Sequence, residues 1–386
     1  MDVIWVMKYK TGLKVTLLYY SCLQMSMLAL ATVLPEIRNT FPQYSYGRIQ
    51  AAVTLPDLLV MLTAIPVGKI LGKYSKKKLL IVSCSLFILI GWGGFFFHQY
   101  FWQIHLWSAL LGIAIGILIP TVNSIINEEF EGKEKSQMIG SQNASVSWGA
   151  ILVLISSGII TAKNWDRIYL IYLLALPAFV FILVFMPSKR KNNAQKGITK
   201  RKWKSVFFMS FITFVFFSVY NAISANMSMY LEERQIYGSG SIGFFIALLL
   251  LGSALAGMLY DKIYSRIKNA VIDLGLLLLV GGLVILSLTQ QLFFICLGIL
   301  LAGTSLSIVM AGGTMRLYET EPKEYADLSV AVMMAASDGG GFCSFIYTYM
   351  SQVIFMTNKV SVRYQMMAGI ILTVFVIWRA KEKEFL

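Results

Sequence analysis

The chain has 386 residues, of which 57% are hydrophobic and 13% charged, and its mean hydropathy is +0.70. A water-soluble domain cannot hide that much apolar surface, so a soluble enzyme or soluble binding module is excluded and a bilayer protein is implied. The formal net charge of +14 does not point to nucleic acid, because the basic residues crowd the short connections between apolar runs, which is the pattern of membrane orientation.

A hydrocarbon core of about 30 Å takes roughly 20 apolar residues per helix. Twelve stretches predict such helices: Val15–Leu34, Ile49–Leu71, Leu79–Phe97, Ile104–Ile126, Gln137–Thr161, Ile168–Met186, Val206–Tyr230, Ser241–Tyr260, Val271–Thr289, Leu292–Met315, Leu328–Met356 and Tyr364–Trp378. Lys8, Lys10 and Lys14 precede the first stretch as in a signal peptide. That stretch is long and lacks a small-residue cleavage site, so a retained helix is expected. With both termini cytoplasmic, the inside segments hold 26 of the 33 Lys and Arg, and only Arg38, Arg48, Lys163, Arg167, Arg234, Lys359 and Arg363 fall outside. Tyr44, Tyr100, Trp102, Trp107 and Trp165 gather near the predicted outer boundaries, where amphipathic rings sit at headgroup level.

The most basic connection, Ser188 to Lys204, falls between the sixth and seventh stretches. The expected organisation is all-α: a six-helix bundle over residues 1–187, a basic cytoplasmic linker over 188–204 that faces membrane lipids, and a second six-helix bundle over 205–386. Two repeated bundles joined by one loop place a solute site at their interface. Cys22, Cys84, Cys296 and Cys343 each sit alone in an apolar run, without metal-ligand spacing, so packing is their expected role and no metal or cofactor is implied. No phosphate-binding loop occurs, which removes nucleotide hydrolysis as an energy source, and no enzyme activity is expected.

Two carboxylates lie deep in predicted helices. Asp57 is nine residues past Arg48 and Asp338 eleven past Asp327, or about 13 and 16 Å along a helix, so both approach midplane. Ionisable groups at that depth are costly and tend to serve a pathway, which makes Asp338 and Asp57 candidate proton carriers. The alternative for Asp338 is to cap a break at Gly339-Gly340-Gly341. No Lys or Arg falls near the middle of a predicted helix, so a neutral to acidic cavity is expected. His98 and His105 lie near helix ends, as boundary residues do.

The connection after the second stretch reads Gly68-Lys69-Ile70-Leu71-Gly72-Lys73-Tyr74-Ser75-Lys76-Lys77-Lys78. It resembles the loop signature of the major facilitator superfamily, G-x-x-x-D-[RK]-x-G-[RK]-[RK], with Gly72 in the acidic position and Ser75 in that of the second glycine. The connection after the eighth stretch, Gly257-Met258-Leu259-Tyr260-Asp261-Lys262, keeps the G-x-x-x-D-K part that the first copy has lost. A glycine permits close helix approach, and an acid at a helix end engages a neighbouring helix N-terminus. Gly68, Lys73, Lys76, Lys77, Gly257, Asp261 and Lys262 are therefore candidate gating residues. Two further segments resemble family motifs. Ser108 to Gly116 is similar to R-x-x-x-G-x-G, with Ser108 in place of the arginine; Gly140, Gly149 and Gly158 keep the antiporter-motif spacing, although Val153-Leu154 replaces its central Gly-Pro.

The resemblance implies a bacterial twelve-helix transporter in which helices 1, 4, 7 and 10 surround a central cavity. Candidate solute contacts are then Tyr20, Gln24, Asn123, Asn127, Tyr220, Asn221, Asn226, Thr304 and Ser305, with Gln142, Asn143 and Trp148 of the fifth helix as a second set. Their alternative role is interhelical hydrogen bonding. The seventh helix concentrates its polar groups from Tyr220-Asn221 through Ser228, and breaks in such helices are where transporters often expose backbone to solutes. The expected function is proton-coupled outward movement of a small amphipathic or cationic organic compound, by a monomer in the cytoplasmic membrane. Uptake of a small neutral nutrient such as a sugar or nucleoside, and flipping of lipids on the same scaffold, are the alternatives.

Overall fold

The computed structural model describes residues 2–186, 203–236 and 241–381. The basic stretch 188–202 and Tyr237 lie outside the described residues. Twelve helices among the described residues are long and apolar enough to cross a membrane: α1 Lys10–Thr32, α2 Ala51–Ile70, α3 Lys76–Phe96, α4 Phe101–Glu129, α5 Gly132–Ile160, α6 Trp165–Phe185, α7 Trp203–Ala225, α8 Ile242–Ile267, α9 Val271–Leu288, α10 Leu292–Thr320, α11 Lys323–Phe355 and α12 Val360–Lys381. No strand occurs among those residues. A chain this apolar must satisfy its backbone groups within each spanning segment, and the helix does so. Every Lys and Arg of the twelve spans lies within two turns of a span end.

Contacts divide the chain into two compact units, one of Met1–Phe130 with Ser145–Ile198 and one of Glu131–Ala144 with Thr199–Leu386. The first turns of α5 thus belong with the second unit. In the first unit α4 is the central helix, with 83% of its apolar window buried. It packs on α2 through Gly112 and Gly116: a Cβ at Gly112 would stand 2.5 Å from the Pro56 carbonyl oxygen, and one at Gly116 would stand 2.7 Å from the Thr63 Cβ. In the second unit α10 has this role. Gly252 of α8 lies against the backbone of α10 at Leu300 and Thr304, and Gly282 of α9 lies against Gly298 and Ala302. Small residues bring backbones together here as in other membrane bundles, where lipid is as apolar as the interior and packing decides association. The outward faces are correspondingly greasy, with Leu152, Ile155 and Ile159 of α5 and Val180 and Val184 of α6 all exposed.

Four spans are irregular. In α1 a 3₁₀ turn, Leu23–Met27, interrupts the α-helix, and α6 opens as 3₁₀ over Trp165–Leu174. The seventh stretch, expected as one helix over Val206–Tyr230, is interrupted within its polar segment: α7 stops at Ala225, passes through Asn226 at φ −98°, ψ 3°, and restarts as a short helix, Met227–Glu233. The expectation for α11 is corrected. Gly339-Gly340-Gly341 remain α-helical, and the interruption falls one residue beyond Phe342, as a 3₁₀ turn over Cys343–Phe345. The glycines serve packing instead: a Cβ at Gly340 would collide with the Phe214 carbonyl of α7, and one at Gly341 with the Asn221 amide.

Candidate solute site and gating loops

The polar candidates of the first unit are mostly committed to holding helices together. Tyr20 is fully buried and donates to Ser83 Oγ at 2.6 Å, while Ser83 Oγ donates to the Ala114 carbonyl at 2.6 Å, so one polar chain ties α1, α3 and α4. Asn123 is buried and its amide donates to the Ile119 carbonyl one turn back, at 3.0 Å. Gln24 sits half-buried within the 3₁₀ turn of α1. Asp57 is half-buried next to Pro56, whose carbonyl lies under Gly112. On α5, Asn143 donates to the Ile139 carbonyl at 2.9 Å and Trp148 is 39% exposed.

The second unit differs. Tyr220 of α7 is buried, yet among the described residues its hydroxyl has no hydrogen-bond partner, a state that costs free energy in an apolar setting. Its ring stacks with Phe216 at 6.3 Å and Phe217 at 6.2 Å. The next residue, half-buried Asn221, turns its amide against Gly341 of α11. Asp338, also half-buried, lies three residues before Gly341, just under one helical turn. Asn221 and Gly341 thus meet at an α7–α11 seam, with Tyr220 the chain neighbour of the first and Asp338 just under a turn from the second. Further along it, Ser218 Oγ and Tyr347 Oη share a 2.6 Å hydrogen bond, and Thr348 Oγ1 donates to Asn226 Oδ1 at 3.4 Å. Thr304 and Ser305 of α10 bond back to Leu301 and Ala302 at 2.7 and 2.6 Å, as helical hydroxyls do without any solute.

The two loops of similar sequence are built differently. After α2, Gly68 is buried, while Gly72 and Lys73 are exposed. Lys76 pairs with Glu128 at 2.7 Å and donates to the Ser124 carbonyl at 3.3 Å. Lys77 donates to the Leu183 and Met186 carbonyls at 2.7 and 3.1 Å, which caps the end of α6. Near the end of α8, Asp261 accepts from Ser136 Oγ at 3.0 Å and from Gln137 Nε2 at 3.2 Å, both in the first turns of α5. Gly257 makes the approach possible, since a Cβ there would stand 2.7 Å from the Ala144 nitrogen and 2.8 Å from the Gly140 carbonyl oxygen. Lys262 is exposed. The histidines keep boundary roles: His98 Nδ1 meets the Gly94 carbonyl and Nε2 lies 3.8 Å from Asp166, while His105 Nδ1 meets the Phe101 carbonyl.

The profile of the Major Facilitator Superfamily matches residues 16–345. The chain belongs to the major facilitator superfamily. No curated protein sequence matches it. Among solved structures it is similar to the human organic anion transporter MFSD10 (TETRAN), at TM-score 0.74 and 14% identity, covering 95% of this chain and 96% of that one. It is also similar to the proton:xylose symporter XylE bound to 6-bromo-6-deoxy-D-glucose, at TM-score 0.74 and 14% identity over 97% and 96% of the two chains. The transporter FucP, in its outward conformation, gives TM-score 0.75 and 13% identity over 95% and 98%. At such identities the likeness carries the fold alone. The molecule is a multi-pass secondary transporter of this superfamily, with twelve spanning helices.

Sequence reasoning missed Arg363 as a structural centre. It stood among the outer positive charges, yet its side chain is wholly buried. Glu233, which caps the start of α12, was also missed. Only their positions at helix ends signalled either.

Proposed function

We propose that this transporter couples protons to the outward movement of a small amphipathic or cationic organic compound, as a monomer in a bacterial cytoplasmic membrane, with both termini inside. The observation that carries the reading is the α7–α11 seam, where Asp338 lies just under one turn before Gly341, the glycine against which the Asn221 amide packs, and where Tyr220, the chain neighbour of Asn221, is buried with its hydroxyl unpaired among the described residues. A carboxylate on α11 and the aromatic group of Phe216, Phe217 and Tyr220 on α7 each suit a cation or an amphiphile, since ring faces attract positive charge. The Tyr220 hydroxyl offers a hydrogen bond that the apo chain leaves unmade, and such a group gains most from an arriving acceptor. Basic side chains only at span ends speak against an organic anion, the solute named for MFSD10, and the proton coupling named for XylE is compatible with a titrating acid. Asp57 is a second, weaker coupling group on α2.

A thermal-shift screen of purified protein against a broad solute library identifies the ligand, since a binder of the native state stabilises it. Asp338→Asn is then tested in vesicles with an imposed pH gradient. Loss of pH-driven transport by about tenfold or more, with solute exchange retained, is expected, because an amide keeps size and hydrogen bonding but carries no proton. Full pH-driven transport by this variant would end the coupling reading.

A further inference from the structure

The short helix Met227–Glu233 beyond the α7 break is tied to its surroundings by polar contacts at both ends. The Glu233 carboxylate accepts from the backbone N–H groups of Val360 and Ser361 and from the Ser361 hydroxyl, so it caps the first turn of α12. Tyr230 Oη donates to the Leu286 carbonyl at 2.9 Å, and Arg234 Nη2 donates to the Leu286 and Ser287 carbonyls, both at 2.9 Å, at the end of α9. At the break itself Arg363 of α12, fully buried, donates through Nη1 to Asn226 Oδ1 and through Nε to Ser351 Oγ of α11 at 3.1 Å. Its Nη2 has no acceptor.

A helix this short cannot hold itself in place: nucleation is unfavourable, and isolated helices under about 12 residues are marginal. Its position is set by these ties. A buried guanidinium is also expensive unless each of its donors is matched, and here one is not. The arrangement therefore holds the segment while leaving the Nη2 donors unmatched among the described residues, and the Glu233 carboxylate is held on the backbone N–H groups of Val360 and Ser361, three and two residues before Arg363, where it is an acceptor at the same end of α12.

We propose that Arg363 and Glu233 form a lock on the α7 break, with Arg363 a positioning residue that fixes the Asn226 side chain, and that undocking of Met227–Glu233 is a step of the transport cycle. The importance of that step rests on the transport reading above. The lock can be tested without any solute, so the two ideas fail separately.

The test uses the full detergent-purified chain with Cys22, Cys84, Cys296 and Cys343 replaced by serine. One probe cysteine replaces Leu231, 2% exposed within the short helix, and a control replaces Leu276, fully buried in α9. Maleimide labelling reads local opening. Arg363→Met and Glu233→Gln should each raise the labelling rate at position 231 by about tenfold without changing that at 276, and Arg363→Lys, which keeps one donor group, should fall between. A residue that only stabilises the fold would lower the melting temperature and raise both rates together, which overturns the lock. Parent labelling rates at position 231 in the variants that fold, Glu233→Gln alone included, overturn it as well.

Discussion

Asp261 in the last turns of α8 reaches the first turns of α5, whereas after α2 Gly72 stands at the matching place, exposed, with open space where a Cβ would lie. The basic residues of that first loop turn instead to their own unit, Lys76 to Glu128 and Lys77 to the end of α6. Losing one carboxylate converts the motif from a clasp on a helix N-terminus into a set of C-terminal caps. Cations suit the negative end of a helix and anions the positive end, so the sign of the side chains at each loop decides which neighbour it holds. The glycines follow the same division: a Cβ at Gly257 would be pressed against the α5 backbone, and one at Gly72 would point into open space.

The sharpest way to break this contrast is Gly257→Leu. A side chain there must push α8 away from the backbone of Gly140 and Ala144, with an expected cost of about 1–3 kcal/mol or more. Transport should fall further than the amount of folded protein in the membrane. Wild-type turnover in a well-expressed variant would leave the second loop with no switching role.

Asp261→Asn comes next. It keeps the shape but removes the charge from the hydrogen bonds to Ser136 and Gln137, and a loss of about 1 kcal/mol is expected, discounted because Gln137 is exposed. Thermal unfolding of the purified variant measures it, and an unchanged transition would remove the clasp. Lys77→Met should cost about 0.5 kcal/mol through the lost cap on α6. A loss equal to that of Asp261→Asn would erase the distinction between the two loops. Gly72→Ala has the smallest expected effect, within about 0.5 kcal/mol of the parent. A marked shift on thermal unfolding would mean that this position has no room for a side chain, as at Gly257, and would erase the contrast.

Much of the architecture was legible in the sequence because the bilayer makes composition decisive: about twenty apolar residues can only be a spanning helix, and the twelve spans follow. The clustering of Asn and Ser after Tyr220 was legible too, but the interruption at Asn226 within it was not, because a polar stretch continues a helix as readily as it breaks one. The site was less legible, because a polar side chain in an apolar helix reads the same whether it binds solute or ties helices. Tyr20 and Tyr220 illustrate this: each is a buried tyrosine in a central helix, but Ser83 happens to meet the hydroxyl of the first and nothing meets that of the second.

The sequence by itself determined the helix count, the apolar outer faces and the family, since each depends on local composition or a contiguous motif. Only the tertiary structure decided which polar groups are already satisfied, that the glycine triplet of α11 is a packing surface and not a break, and that Arg363 is buried at the α7 break. Those outcomes depend on what a distant helix presents across the gap. Partners such as Asn226 and Arg363 are 137 residues apart in the chain, too far for any local pattern to record.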